Sequence, residues 1–145
     1  MDKKKVLFVC SHNSARSQMA EAFLKQMAPD RFEVESAGLE PGKLNPSAIE
    51  AMKEAGVDIS QNKTKSVFDF YKQGKRYDYV VTVCAESQAG KCPVFPGTTV
   101  TSRIHWSFDD PSGFTGTPAE KLEKTRRVRD QIKRQLELFL ADSAQ

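Results

Sequence analysis

Val6-Leu7-Phe8-Val9-Cys10-Ser11-His12-Asn13-Ser14-Ala15-Arg16-Ser17 runs from an apolar stretch into a polar one at a cysteine, and a helical pattern starts directly behind it. Val6 to Val9 read as a fully buried strand, while Ala20, Phe23, Leu24 and Met27 recur at i, i+3, i+4 and i+7, the apolar face of a helix. The loop between them therefore joins a strand end to a helix N-terminus. Small and polar residues let consecutive N–H groups of such a loop converge on an anion, and the helix dipole adds positive potential at the same point. Arg16 supplies a planar fork for two oxygens of a tetrahedral anion. A cysteine in that field favours its thiolate, and a hydrogen bond from Ser17 pushes the same way. The spacing from Cys10 to Arg16 is weak evidence alone, since a strand-end cysteine is often a small core residue. Strand before, polar loop between, serine after and helix behind make it strong.

The 145 residues fit one domain spanning 1–145 with a continuous core. Hydrophobic residues make up 39% and charged residues 28%, an ordinary globular balance, and basic and acidic side chains interleave to a net charge of +3. That pattern argues against nucleic acid and suits a small anionic substrate. Lys3, Lys4 and Lys5 precede an apolar run too short for a signal peptide, and no run approaches a membrane span, so a cytoplasmic protein is expected. The three cysteines, Cys10, Cys84 and Cys92, form neither an even-numbered secreted framework nor a metal finger. In a reducing compartment such cysteines are reactive more often than structural.

Along the chain, Phe32 to Gly38 alternates as a short strand. Asn45 as N-cap, Pro46 behind it and Gly56 as a stop bracket a helix that turns Ile49 and Met52 inward. Ser66 to Gln73 predicts a shorter helix, and Tyr77 to Val83 a central buried strand that delivers Cys84 at its carboxyl end. A looser stretch holds Gly90, Pro93, Pro96 and Gly97, and Thr101 to His105 reads as a last short strand. Thr117-Pro118-Ala119-Glu120 is a capping box opening a long helix whose Leu122, Val128, Ile132, Leu136 and Phe139 keep a helical period. Alternating strands and helices imply an α/β fold with a parallel sheet covered on both faces, and ligands in such sheets bind beyond the carboxyl ends of the strands. Cys10 and Cys84 should face one crevice.

Cys84 and Cys92 flank Ala85-Glu86-Ser87-Gln88-Ala89-Gly90-Lys91, a small and polar stretch. In a helix the two cysteines would lie about 12 Å apart along the axis. A disulfide needs Cα atoms within roughly 7 Å. Pairing them requires the segment to unwind, at little cost given its composition. Spacing alone leaves a redox switch and two unpaired cysteines about equally plausible.

The segment Cys10 to Ser17 resembles the phosphate loop of the low-molecular-weight protein tyrosine phosphatase superfamily. Val81-Thr82-Val83-Cys84, Cys92-Pro93, Ser17-Gln18-Met19-Ala20-Glu21, Ser36-Ala37-Gly38 and His105-Trp106-Ser107-Phe108-Asp109-Asp110-Pro111 extend the likeness over essentially the whole chain, toward its thioredoxin-coupled arsenate reductases. The resemblance implies a three-layer sandwich with a four-stranded parallel sheet flanked by helices. It also implies roles. Cys10 attacks arsenate bound by Ser11, His12, Asn13, Ser14, Ala15, Arg16 and Ser17, and Asp110 acts as general acid. Cys84 then forms an intermediate disulfide with Cys10, Cys92 resolves it, and the Cys84–Cys92 bond is reduced by thioredoxin, with no bound cofactor. Without the resemblance, Asp109 and Asp110 before Pro111 read as a turn.

Some members bind potassium through an Asn, a Glu, a Ser and a distant Asp. Asn13, Glu21 and Ser36 match, whereas the Asp position falls at Lys65 or Ser66, which argues against a metal site. Position 15 is Ala where several relatives carry a further cysteine. His12 and His105 receive no catalytic role, and Phe68, Phe70 and Tyr71 read as core or crevice wall. A monomer is expected. The rival readings are a phosphomonoesterase of the same fold and a non-enzymatic oxyanion or thiol-redox sensor.

Overall fold

The computed structural model describes residues 3–10, 12–83 and 100–143, with the side chains of 100–103 and 143 left aside. Its parallel sheet has the order β2-β1-β3-β4, built from β1 (Lys4–Cys10), β2 (Phe32–Gly38), β3 (Tyr77–Thr82) and β4 (Val100–His105). Among the described residues the helices are α1 (Arg16–Met27) between β1 and β2, α2 (Pro46–Glu54) and α3 (Val67–Lys72) between β2 and β3, and α4 (Pro118–Ser143) after β4. The expected four-stranded, three-layer α/β architecture is the one observed.

Alternation along β1 sorts the core into two sides, as a period of two requires. Val6 and Phe8 pack with Met19, Phe23, Met52, Ile132, Leu136 and others from α1, α2 and α4. Leu7 and Val9 turn the other way, onto Val67 and Phe70 of α3 with Ala37, Tyr77 and Val80. All four β1 residues are fully buried, the mark of a strand covered on both faces. Trp106 stacks edge-on to Phe139 and tilted to Phe8, closing the α4 side.

The helix starts follow the sequence signals. Asn45 Oδ1 accepts from the N–H groups of Ser47 and Ala48 at 2.8 and 3.2 Å, and Pro46 occupies the first helical position. Such caps stabilise a helix by about 1 kcal/mol. Gly56 ends α2 at φ 83°, a left-handed conformation that glycine adopts at no steric cost. The capping box at α4 forms both arms, Glu120 N–H donating to Thr117 Oγ1 at 3.1 Å and Thr117 N–H to Glu120 Oε1 at 3.4 Å. Among the aromatic residues of α3, only Phe70 is core. Phe68 and Tyr71 are 47% and 50% exposed, because a six-residue helix has one buried face and they lie off it.

Parallel pairing aligns every strand end on one side. Cys10 is opposite Gly38, Val9 opposite Thr82, and Thr82 opposite His105. Beyond the last strand pair, Val83 N–H still donates to Val9 O at 3.0 Å. The residue before Cys84 is therefore tied to the residue before Cys10.

Candidate active site

β1 delivers Cys10 and α1 begins at Arg16, so the chain must reverse within residues 11–15. It does so with Asn13 at φ 55°, a left-handed conformation that asparagine tolerates better than most residues. An anion cradle needs its carbonyls turned away, and three are engaged from outside. Leu39 N–H donates to Cys10 O at 3.3 Å, Gly42 N–H to His12 O at 3.0 Å and Asn45 N–H to Ser14 O at 2.9 Å. Asn13 N–H points at Cys10 Sγ, 3.1 Å away, and Ser17 Oγ lies 2.9 Å from the same sulfur.

Hydrogen-bond bookkeeping fixes which way the Ser17 proton points. The backbone N–H of Lys65 can only donate, and its 2.9 Å partner is Asn13 Oδ1, which also accepts from Gln18 Nε2 at 3.0 Å. The Asn13 amide orientation is thereby set, and its two protons go to Ser17 Oγ at 2.8 Å and Ser36 Oγ at 2.9 Å. Having accepted from Asn13, Ser17 has its own proton left for Cys10. Two donors thus converge on the sulfur.

Arg16 is buried, 2% exposed. Its Nη2 lies 3.3 Å from Asp110 Oδ2, and its Nη1 donates to Phe108 O at 3.3 Å. The other oxygen of Asp110 accepts from Ser112 N–H at 3.0 Å, capping a short 3-10 turn at Pro111–Gly113. The Asp-Asp-Pro stretch is both a turn, as its residues suggest, and the carrier of a carboxyl facing the loop arginine.

The remaining residues singled out in the sequence divide clearly. Ser14 and Ala15 are buried in the loop and His12 is exposed, its Nδ1 3.0 Å from the Glu40 carbonyl. Ser11, Cys84 and Cys92 lie outside the described residues. His105 does not pack in the core. It is exposed, with Nδ1 2.6 Å from Thr82 Oγ1 and Nε2 3.1 Å from Ser107 Oγ, while Trp106 does the packing. Gln18 escaped sequence reasoning. It is fully buried, donating to Asn13 Oδ1 and Lys63 O at 3.0 Å each and accepting from Asn62 at 3.2 Å. Its only sequence signal is a polar residue at a buried helical position, which the apolar period hides.

Asn13, Glu21 and Ser36 do stand together. Ser36 Oγ donates to Glu21 Oε1 at 2.5 Å, and Lys65 Nζ lies 3.3 Å from that oxygen. The carboxylate already holds an ammonium there, and Lys25 Nζ takes its second oxygen at 2.7 Å. With the countercharge supplied by lysines, these residues do not fit a potassium ion.

Comparison with known proteins shows what the chain resembles. Residues 5–144 fit the family model described as low molecular weight phosphotyrosine protein phosphatase. An arsenate reductase of Bacillus subtilis (strain 168) is 45% identical over 139 residues, 96% of either chain. A solved structure of an arsenate reductase in the phosphate binding state superposes with a TM-score of 0.78 at 35% identity, covering 96% of this chain and 98% of that one. A thioredoxin-dependent arsenate reductase of Corynebacterium glutamicum gives a TM-score of 0.57 at 30% identity, covering 94% of this chain and 63% of its own. A loop that closes two donors on a strand-end thiol, with a buried arginine behind it and likeness along nearly its whole length, places this chain in the low molecular weight phosphotyrosine protein phosphatase family, among its arsenate reductases.

Proposed function

We propose that this chain reduces arsenate to arsenite by a three-cysteine relay recharged by thioredoxin. The observation that carries the reading is the convergence of Ser17 and Asn13 N–H on Cys10 Sγ beside the buried Arg16, within a chain whose relatives are arsenate reductases. Arsenate takes the loop N–H groups and the Arg16 fork. Cys10 thiolate attacks arsenic, an S–As bond forms, and the departing As–O oxygen leaves as water after taking a proton from Asp110. Arg16 then balances the negative charge of the adduct.

Cys84 thiolate next attacks the Cys10 sulfur. The S–As bond breaks with its electron pair staying on arsenic, which departs as arsenite, and a Cys10–Cys84 disulfide remains. The tie from Val83 to Val9 supports this pairing, since it holds the residue before each cysteine at one edge of the sheet. Cys92 thiolate attacks Cys84, releasing Cys10 as thiolate. The Cys84–Cys92 disulfide then accepts two electrons from the thioredoxin dithiol.

A phosphomonoesterase would use Cys10, Arg16 and Asp110 in the same way and leave Cys84 and Cys92 idle, and the family description favours keeping it as the rival. Arsenite production with thioredoxin and thioredoxin reductase decides between them. Many arsenite molecules per enzyme are expected with thioredoxin and at most one without it; aryl phosphate hydrolysis with no arsenite would reverse the assignment.

A further inference from the structure

We propose that Asn45, acting through Ser112, is a positioning residue that keeps the Asp110 turn docked beside the Cys10 loop while the acid is neutral. The proposal rests on Asp110 being the general acid of the proposed function, and it gives Asn45 a duty beyond capping α2.

Three elements meet at Asn45. Its Oδ1 caps α2 by accepting from Ser47 and Ala48 N–H at 2.8 and 3.2 Å, and its backbone N–H donates to Ser14 O of the Cys10 loop at 2.9 Å. With both N–H groups on Oδ1, the amide orientation is set and Nδ2 must donate; its partner is Ser112 Oγ at 3.2 Å. Ser112 follows the acid by two residues. Its N–H donates to Asp110 Oδ1 at 3.0 Å, and its hydroxyl comes within 3.4 Å of Ser14 Oγ. Helix start, loop and acid turn are thus joined at one side chain. Packing does not fill this junction, because a cavity of about 270 Å³ opens there, its lining including Pro46, Ser47, Pro111, Phe114 and Lys121.

Asp110 has a second hold in Arg16 Nη2, 3.3 Å from its Oδ2. That hold weakens when it is needed. A general acid keeps its proton until the transition state, and a neutral carboxyl has no charge for the guanidinium to attract. The arriving anion also competes for the Arg16 fork. The bond from Asn45 to Ser112 joins two neutral groups, so neither event alters it. Proton transfer requires the carboxyl within hydrogen-bond reach of the departing oxygen, and a displacement of about 1 Å lowers the rate steeply. Asn45 therefore holds the turn in the state where the ion pair does not.

The test compares Asn45→Ser, Ser112→Ala and their combination with the parent. Serine caps a helix about as well as asparagine but has no amide nitrogen to offer Ser112, so α2 keeps its start. The first readout is hydrogen-exchange protection of the Gly113 amide, which donates to Asp110 O at 3.0 Å. In an Asp110→Asn background, which imitates the neutral acid, each substitution is expected to lower that protection about fivefold, and by less where Asp110 keeps its charge. The second readout is kinetic. With Asp110 intact, kcat/KM for arsenate should fall about fivefold in either variant and no further in the combination, while affinity for inorganic phosphate stays within about twofold. Should Asn45→Ser fail to fold, Ser112→Ala decides alone, since it leaves the cap untouched. Unchanged Gly113 protection in the Asp110→Asn background, kcat/KM at the parent value, or losses that add in the combination would overturn the proposal. A chain that makes no arsenite would overturn the functional reading instead, and amide exchange, which needs no arsenate, would still decide whether Asn45 holds the turn.

Discussion

Under the proposed function Arg16 binds the anion, and in the structure it also faces the Asp110 carboxyl. Its guanidinium is buried and splits between the Asp110 carboxyl and the Phe108 carbonyl, both at 3.3 Å, so it is already oriented by two acceptors when the anion arrives. A lysine at this position has one nitrogen and no fork. Arg16→Lys should therefore lower kcat/KM for arsenate by about 100-fold or more, the scale of losing an oriented donor at a developing charge. Calorimetric titration with inorganic phosphate should show the matching loss of anion affinity. A variant within about threefold of the parent in both measurements would remove the bidentate contact from the mechanism. At this scale the sequence was most informative where chemistry is local. Cys10, Ser17 and Arg16 follow one strand end, and their roles come from a residue type at a position. Asn13, Gln18 and Lys65 were harder to read, because their importance lies in hydrogen bonds across 52 residues of chain between Asn13 and Lys65, and no periodicity encodes such a contact.

Among the elements, strands and caps were legible and lateral fastenings were not. Alternation gave β1 its two buried faces, and proline, glycine and capping residues marked where α2 and α4 start or stop, since each acts within a turn of itself. In the structure Arg126 and Arg129 reach α2, with Arg126 Nη2 2.6 Å and Arg129 Nη1 3.3 Å from Glu54. The hydrogen bond from Arg126 holds the Glu54 carboxyl below its usual range. A carboxyl whose folded-state pKa is depressed adds stability above its unfolded pKa, and that stability is lost as pH falls through the folded value. Glu54→Gln should thus lower the Tm at about pH 7 by a small amount, since the pair is exposed and screened. At about pH 3 the two proteins should melt closer together. Thermal melts at low salt check it; an equal or larger difference in acid would show that Glu54 acts through packing rather than charge.

For the molecule as a whole, the question is how oxidising equivalents leave a thiol buried at the base of a loop. Cys10 is 2% exposed, so a protein-sized reductant cannot reach a disulfide formed on it. The relay reading answers this by moving the bond from Cys10 to Cys84 and then to Cys92, and it makes Cys92 indispensable for repeated turnover. Cys92→Ser should bind arsenate, release about one arsenite per enzyme and stop as the Cys10–Cys84 disulfide, because no thiol is left to displace Cys10. Cys84→Ser should release no arsenite by this route, since nothing attacks the sulfur of the thiol-arsenate adduct. Both variants should retain whatever hydrolysis of a small aryl phosphate the parent shows, because Cys10, Arg16 and Asp110 are untouched. Mass spectrometry of trapped disulfides, together with arsenite counted per enzyme, separates the readings. A phosphatase gives no disulfide and indifference to both substitutions, and a redox sensor gives oxidation without arsenite. Sustained thioredoxin-dependent turnover by Cys92→Ser would eliminate the three-cysteine relay, and it would require thioredoxin to attack Cys84 directly while that residue is bonded to the buried Cys10.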